Sequence, residues 1–137
     1  METAFSIITG LALALGFAAA AAAFYGRYRV LPAFLTGPQV CKLEAGGCQI
    51  LFRSPQAALL GPPNSLLGLF YYPALGLGLA LGWPVLLLWL GAFAAGLMSS
   101  VLAFILLKNQ LECRICWLGH ACNTVLLAAL TFKACGR

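Results

Sequence analysis

The chain has 137 residues, of which 63% are apolar and only 8% charged, with a formal net charge of +5. Soluble domains carry about 25% charged residues, so eight bases and three acids exclude both an ordinary cytosolic globule and a disordered chain. No basic patch is interleaved with aromatics, which excludes nucleic acid as a partner, and the composition points to an integral membrane protein with lipid as its main solvent.

A spanning helix needs about 20 mostly apolar residues. Residues 5–24 form an uncharged run of that length, ended by Tyr25-Gly-Arg-Tyr-Arg29. This run reads as a span and not as a cleaved leader, because Met1-Glu2-Thr3-Ala4 before it carries an acid and no base. A long loop follows over residues 25–64. Within it, residues 49–60 are apolar but too short to cross, which suits a half-helix lying at the membrane interface over the mouth of the helices. Gly61-Pro62-Pro63 then breaks the chain. The second span is residues 65–81, Gly-rich and expected to kink at Pro73. Gly82-Trp83-Pro84 reads as a tight turn. The third span is residues 84–107, stopped by Lys108-Asn109-Gln110, and the fourth is residues 115–132, stopped by Lys133. Continuous apolar runs exclude a membrane barrel. The expected fold is therefore all-α: one membrane domain over residues 1–137, a four-helix bundle with a long first loop holding a short interfacial half-helix. The glycines and alanines recurring along the spans let helix backbones approach closely.

The six cysteines are Cys41, Cys48, Cys113, Cys116, Cys122 and Cys135. Cys41 and Cys48 lie in the loop between spans one and two, and Cys113 and Cys116 form a C-x-x-C between spans three and four. In an up-down-up-down bundle both connections fall on one face, so four cysteines gather at one mouth. Cys135 lies 19 residues past Cys116, roughly 28 Å along a helix, at the opposite face. Cys122 reads as a small core residue. A C-x-x-C at a helix N-terminus beside Lys108 and Arg114 favours a thiolate, the species that attacks disulfides. Two such pairs on one face permit a relay, one pair facing an external dithiol and the other a membrane oxidant.

Cys113, Cys116, His120 and Asn123 recur at i, i+3, i+7 and i+10, one face of the fourth span. A polar stripe within a membrane helix points into the bundle and marks a site. From there His120 can donate to a carbonyl oxygen of an apolar oxidant, and Asn64, opening the second span, can do so from the other wall. Two other readings use the same residues. In one, the chain is a non-catalytic membrane subunit whose cysteines staple loops. In the other, four thiolates hold zinc, although Cys41 and Cys48 are spaced more widely than a usual zinc knuckle. A proton-coupled carrier is disfavoured, since Glu2, Glu44 and Glu112 all lie outside the spans.

Taken together, Cys41 and Cys48, then Ser54, then Asn64-Ser65-Leu66-Leu67-Gly68, then Cys113-Arg114-Ile115-Cys116 resemble the vitamin K epoxide reductase family over nearly the whole chain. The order, spaced pair before C-x-x-C, separates it from the functionally similar disulfide-bond protein B family. The resemblance implies four helices around a quinone of the ubiquinone or menaquinone type; no metal is expected, given the wide spacing of Cys41 and Cys48. It also implies that Cys41 takes electrons from a thioredoxin-like or disulfide-isomerase-like partner, Cys48 passes them to Cys113, and Cys116 reacts with the quinone. Asn64 and His120 would bind the quinone oxygens, with Ser54 and Phe52 on the capping half-helix. His120 stands where animal members carry a tyrosine, which points away from vitamin K epoxide as substrate and towards disulfide formation, as in prokaryotic relatives. Many of those carry a fused thioredoxin-like domain; this sequence ends at Arg137, so its partner is expected to be a separate protein.

The expected location is a multi-pass protein of a prokaryotic cell membrane. Arg27, Arg29, Lys42, Arg53, Lys108 and Arg114 fall on the cysteine face, against Lys133 and Arg137 on the other. By the positive-inside rule the cysteine face is cytoplasmic, whereas most of the family points it outward. Hyperthermophilic prokaryotes, which keep disulfides inside the cell, reconcile the two.

Overall fold

The computed structural model describes residues 2–29, 31–32, 52–109 and 113–136. Cys41 and Cys48, and residues 49–51 of the expected half-helix, lie outside the described residues. The described chain is helical, with no strand among its residues: α1 (Glu2–Tyr28), a short 3-10 turn (Pro55–Ala58), α2 (Asn64–Ala80), α3 (Val85–Lys108) and α4 (Arg114–Cys135). The helices coincide with the four apolar runs, shifted or extended by a few residues at the ends. Helix α2 continues through Pro73.

Each terminus has a local cause. Glu2 in the first turn of α1 and Arg27 in its last turn complement the helix dipole. Helix α2 ends in a Schellman motif. Gly82 adopts φ +70, Trp83 N donates to Gly78 O at 2.9 Å and Gly82 N to Leu79 O at 3.3 Å. Pro84 then begins α3 with its carbonyl, which accepts from Leu87 N at 2.9 Å. The loop segment before α2 departs from a continuous half-helix. Phe52 and Arg53 are helical, Ser54 bends, and Pro55–Ala58 winds as a 3-10 turn. Pro55 has no N–H to continue an α-helical ladder, and Gly61 at φ +98 turns the chain towards α2.

Helix α1 packs on α2 and α4, and α3 packs on α4, while α2 and α3 touch only lightly. Burial against lipid yields little hydrophobic gain, so association rests on close packing through small residues. Gly16 shows this: a Cβ there would run into the ring of Tyr72. A Cβ at Gly96 would lie 2.9 Å from Leu127 Cδ2. One packed cluster joins Ala12, Ala20, Tyr72, Leu75, Leu88, Ala92, Leu126 and Leu130. A second joins Ala19, Phe52, Cys113 and Ile115 at the end where α2 and α4 begin. At the opposite end Lys133 lies 4.8 Å over the ring of Phe5.

The outer surface is apolar. Phe70, Leu86, Phe104 and Phe132 are 64–71% exposed, an inside-out pattern for water and an ordinary one for lipid. Helices α1, α3 and α4 are long and apolar enough to cross a membrane. Helix α2, with 17 residues, reaches about 25 Å, slightly less than a hydrocarbon core of about 30 Å.

Candidate functional site

A cavity of about 370 Å³ lies among the four helices between the two packed clusters, within the size range of small-molecule sites. Its walls are kept wide by side chains with little volume: Gly16, Ala19, Ala20 and Ala23 from α1, Gly68 from α2, and Gly91, Ala94 and Ala95 from α3. Phe52, Gln56, Ala57 and Leu60 close it at the cysteine end. The cover is tied to α1 by two arginines. Arg27 Nη1 donates to Phe52 O at 2.9 Å, and Arg53 Nε donates to Arg27 O at 2.6 Å. Gly26 makes room for it, since a Cβ there would lie 2.9 Å from the Phe52 ring.

At the other end a polar network forms the floor. Tyr72 Oη donates to Asn123 Oδ1 at 2.8 Å, and Asn123 Nδ2 donates to Ser99 Oγ at 2.7 Å. This chain links α2, α4 and α3 through groups that would otherwise be stranded in an apolar interior.

Between cover and floor, Cys116, His120 and Asn123 all line the cavity from α4, as their spacing requires. Cys113 does not line it. As the N-cap of α4 it is extended (φ −137, ψ 109), 1% exposed and packed with Phe52 and Ile115 behind the cover. Its sulfur accepts from Cys116 N at 3.4 Å. Both thiols are free. A hydrogen bond from the Cys116 thiol, helped by the backbone N–H groups of Cys116 and Ile115, holds the Cys113 thiol below the ordinary cysteine range against the opposing effect of burial. Cys113 is thus the better thiolate and Cys116 the thiol that faces the cavity. Cys122 is buried and Cys135 exposed, as expected of residues outside the site.

Asn64 and Phe52 line the cavity; Ser54 begins the 3-10 turn of the cover and is not among its lining residues. Asn64 Nδ2 donates to Gln56 O at 3.1 Å. A backbone carbonyl can only accept, so this bond fixes the amide's orientation and leaves Oδ1 as the atom without a partner. Three buried polar atoms among the described residues have no partner: Asn64 Oδ1, Tyr71 Oη and His120 Nε2. All three residues line this one cavity. An unpaired buried polar group costs about 1–3 kcal/mol, and three on the walls of one apolar space mark a place for a largely apolar ligand with polar groups of its own. The sequence reading missed Tyr71, Tyr72 and Ser99; the one signal available was a tyrosine pair inside an apolar run.

The sequence profile of the Vitamin K epoxide reductase family matches residues 7–131. The chain belongs to the vitamin K epoxide reductase family. That is an oxidoreductase family with a general use of quinones, so this member is a membrane redox protein. The match runs through all four helices, the cover and the C-x-x-C. No curated protein and no solved structure matches the chain.

Proposed function

We propose that the protein is a thiol–quinone oxidoreductase that promotes protein disulfide formation. A thioredoxin-like partner protein delivers two electrons to Cys41 and Cys48, and the pair Cys113 and Cys116 receives them and passes them to a membrane quinone of the ubiquinone or menaquinone type. The observation that carries this reading is the set of partnerless polar atoms of Asn64, Tyr71 and His120, which face an apolar cavity beside the Cys116 thiol. A quinone there supplies an acceptor for two electrons and two protons. Oxidation of the Cys113 and Cys116 thiols to one disulfide releases that number of each.

The two cysteines divide the work by position. Cys116 lines the cavity and is the sulfur that faces the quinone. Cys113 sits behind the cover with its thiol biased towards ionisation, which suits it to exchange with the loop pair. His120 holds one quinone oxygen through Nε2. Asn64 holds the other oxygen, its second Nδ2 hydrogen serving the quinone and its unpaired Oδ1 the hydroxyl of the reduced form. Phe52 closes the space above, and Ser54 positions the cover that carries it. All four helices cross the membrane as a bundle, the 52–60 segment lies at the interface, and the lightly packed seam between α2 and α3 is the entrance from lipid.

The cysteine face is placed in the cytoplasm of a prokaryotic cell, since the end holding Cys113 also carries Arg27, Arg53, Lys108 and Arg114. An impermeant thiol reagent on whole cells checks this: slow labelling of Cys41 and Cys48 is expected, and rapid labelling from outside reverses the orientation. The redox reading is tested by a single turnover. Protein reduced with dithiothreitol, freed of reductant and mixed with a short-chain quinone should gain a Cys113–Cys116 disulfide, read by acid quench and peptide mass. Thiols that stay reduced would refute it.

A further inference from the structure

The polar atoms facing the cavity are not chemically equivalent. The bond from Asn64 Nδ2 to Gln56 O leaves an acceptor, Oδ1, as the buried atom of Asn64 without a partner. A quinone oxygen is also an acceptor, so the two cannot pair. The Asn64 amide keeps one further N–H on Nδ2, so Asn64 is at most a single donor to an oxidised quinone, and any second donor from α2 comes from another side chain. Two tyrosines are adjacent there, and they differ. The Tyr72 hydroxyl is engaged with Asn123 Oδ1 at 2.8 Å. The Tyr71 hydroxyl is buried, lines the cavity and has no partner. Its ring is held edge-on against Tyr72, with centroids 5.0 Å apart.

Depth places it well. Helices α2 and α4 begin at the same end, where Asn64 meets Gln56 and Cys113 meets Phe52. Tyr71 lies seven residues into α2 and His120 six residues into α4, about 10.5 Å and 9 Å along their axes. The bond between Tyr72 and Asn123, one turn or less further on, confirms that register. Tyr71 and His120 thus stand at one level on two helices that face each other across the cavity.

We propose that Tyr71 is a quinone-binding residue. Its hydroxyl donates to the quinone oxygen that Asn64 holds from α2, while His120 holds the other from α4. This rests on the quinone reading above and adds a second donor from α2.

The test is equilibrium binding of a short-chain quinone to the purified full-length protein without reductant, followed by quenching of tryptophan fluorescence. Tyr71→Phe should bind about tenfold more weakly than wild type, the loss of one hydrogen bond. Its melting temperature without quinone should not fall, because the hydroxyl has no internal partner to lose. The infrared C=O band of the bound quinone, lowered by a donated hydrogen bond, should move back up in the variant at saturating quinone. Equal affinity and an unmoved band would overturn the role of Tyr71 and leave the quinone reading standing. A wild type that binds no quinone would overturn both. A variant that melts early with an unmoved band would make Tyr71 structural and overturn the inference.

Discussion

Tyr72 and Asn123, 51 residues apart in the chain, are joined by a 2.8 Å hydrogen bond that ties α2 to α4 and forms the floor of the cavity. Asn123 passes the bond on to Ser99 of α3. Tyr72→Phe leaves Asn123 Oδ1 without a donor in a dry interior. A loss of about 1 kcal/mol is expected, measured as a lower unfolding midpoint in detergent. An unchanged midpoint would mean that the network is structurally idle.

Helix α1 is held against this tyrosine by a missing side chain. Gly16→Ala places a methyl group against the Tyr72 ring and should cost about 1–3 kcal/mol, as overpacking does. Gly10→Ala is the control, since a Cβ there meets nothing within 4 Å. It should be neutral or stabilising by up to about 1 kcal/mol through helix propensity. The same unfolding assay on both variants separates packing from propensity.

Cys113 supplies a pH dependence. The folded protein holds its thiol below the ordinary cysteine range, chiefly through the hydrogen bond from Cys116. Ionisation of Cys113 therefore stabilises the fold above the pKa of an ordinary thiol, and that contribution fades as pH falls through the lowered value. Cys116→Ala removes the principal cause. The pH midpoint of Cys113 thiolate absorbance, read with Cys122 and Cys135 replaced by serine and the loop pair alkylated, should move upward. A midpoint that stays in place would show that the backbone N–H groups alone set it.

The cover depends on Arg27. Arg27→Ala deletes the donor to Phe52 O and should raise hydrogen exchange across residues 52–60 several-fold. The KM for quinone should rise with it, and kcat should change less, because the reacting thiols are untouched. Unaltered exchange would show that Arg53 is sufficient to hold the segment.

Much of the fold was legible because lipid imposes simple rules. Apolar length marked the helices, and Gly82 before Trp83-Pro84 marked a helix stop that only a left-handed residue can make. The α4 stripe was legible too, because Cys116, His120 and Asn123 share one periodic face. Cys113 departs from it, since an N-cap is extended and leaves the helical period. The roles of the two tyrosines were not legible. Tyr71 and Tyr72 differ by about 100° around α2, and which one meets Asn123 depends on how α2 is rotated against a helix some fifty residues away. Proline explains the break in the cover: a run of apolar residues suggested a continuous half-helix, but Pro55 has no N–H to carry an α-helical ladder on from Phe52 and Arg53, and Pro55–Ala58 winds as a 3-10 turn.

The central claim is that the C-x-x-C passes electrons to a quinone in this cavity. Steady-state reduction of a short-chain quinone by the purified protein, with dithiothreitol as donor, tests it most directly. Wild type should turn over, and Cys116→Ser and Cys113→Ser should each abolish turnover while keeping the wild-type unfolding midpoint within about 1 kcal/mol. Folded wild-type protein that reduces none of several quinones, or a Cys116→Ser variant that turns over like wild type, would contradict the account.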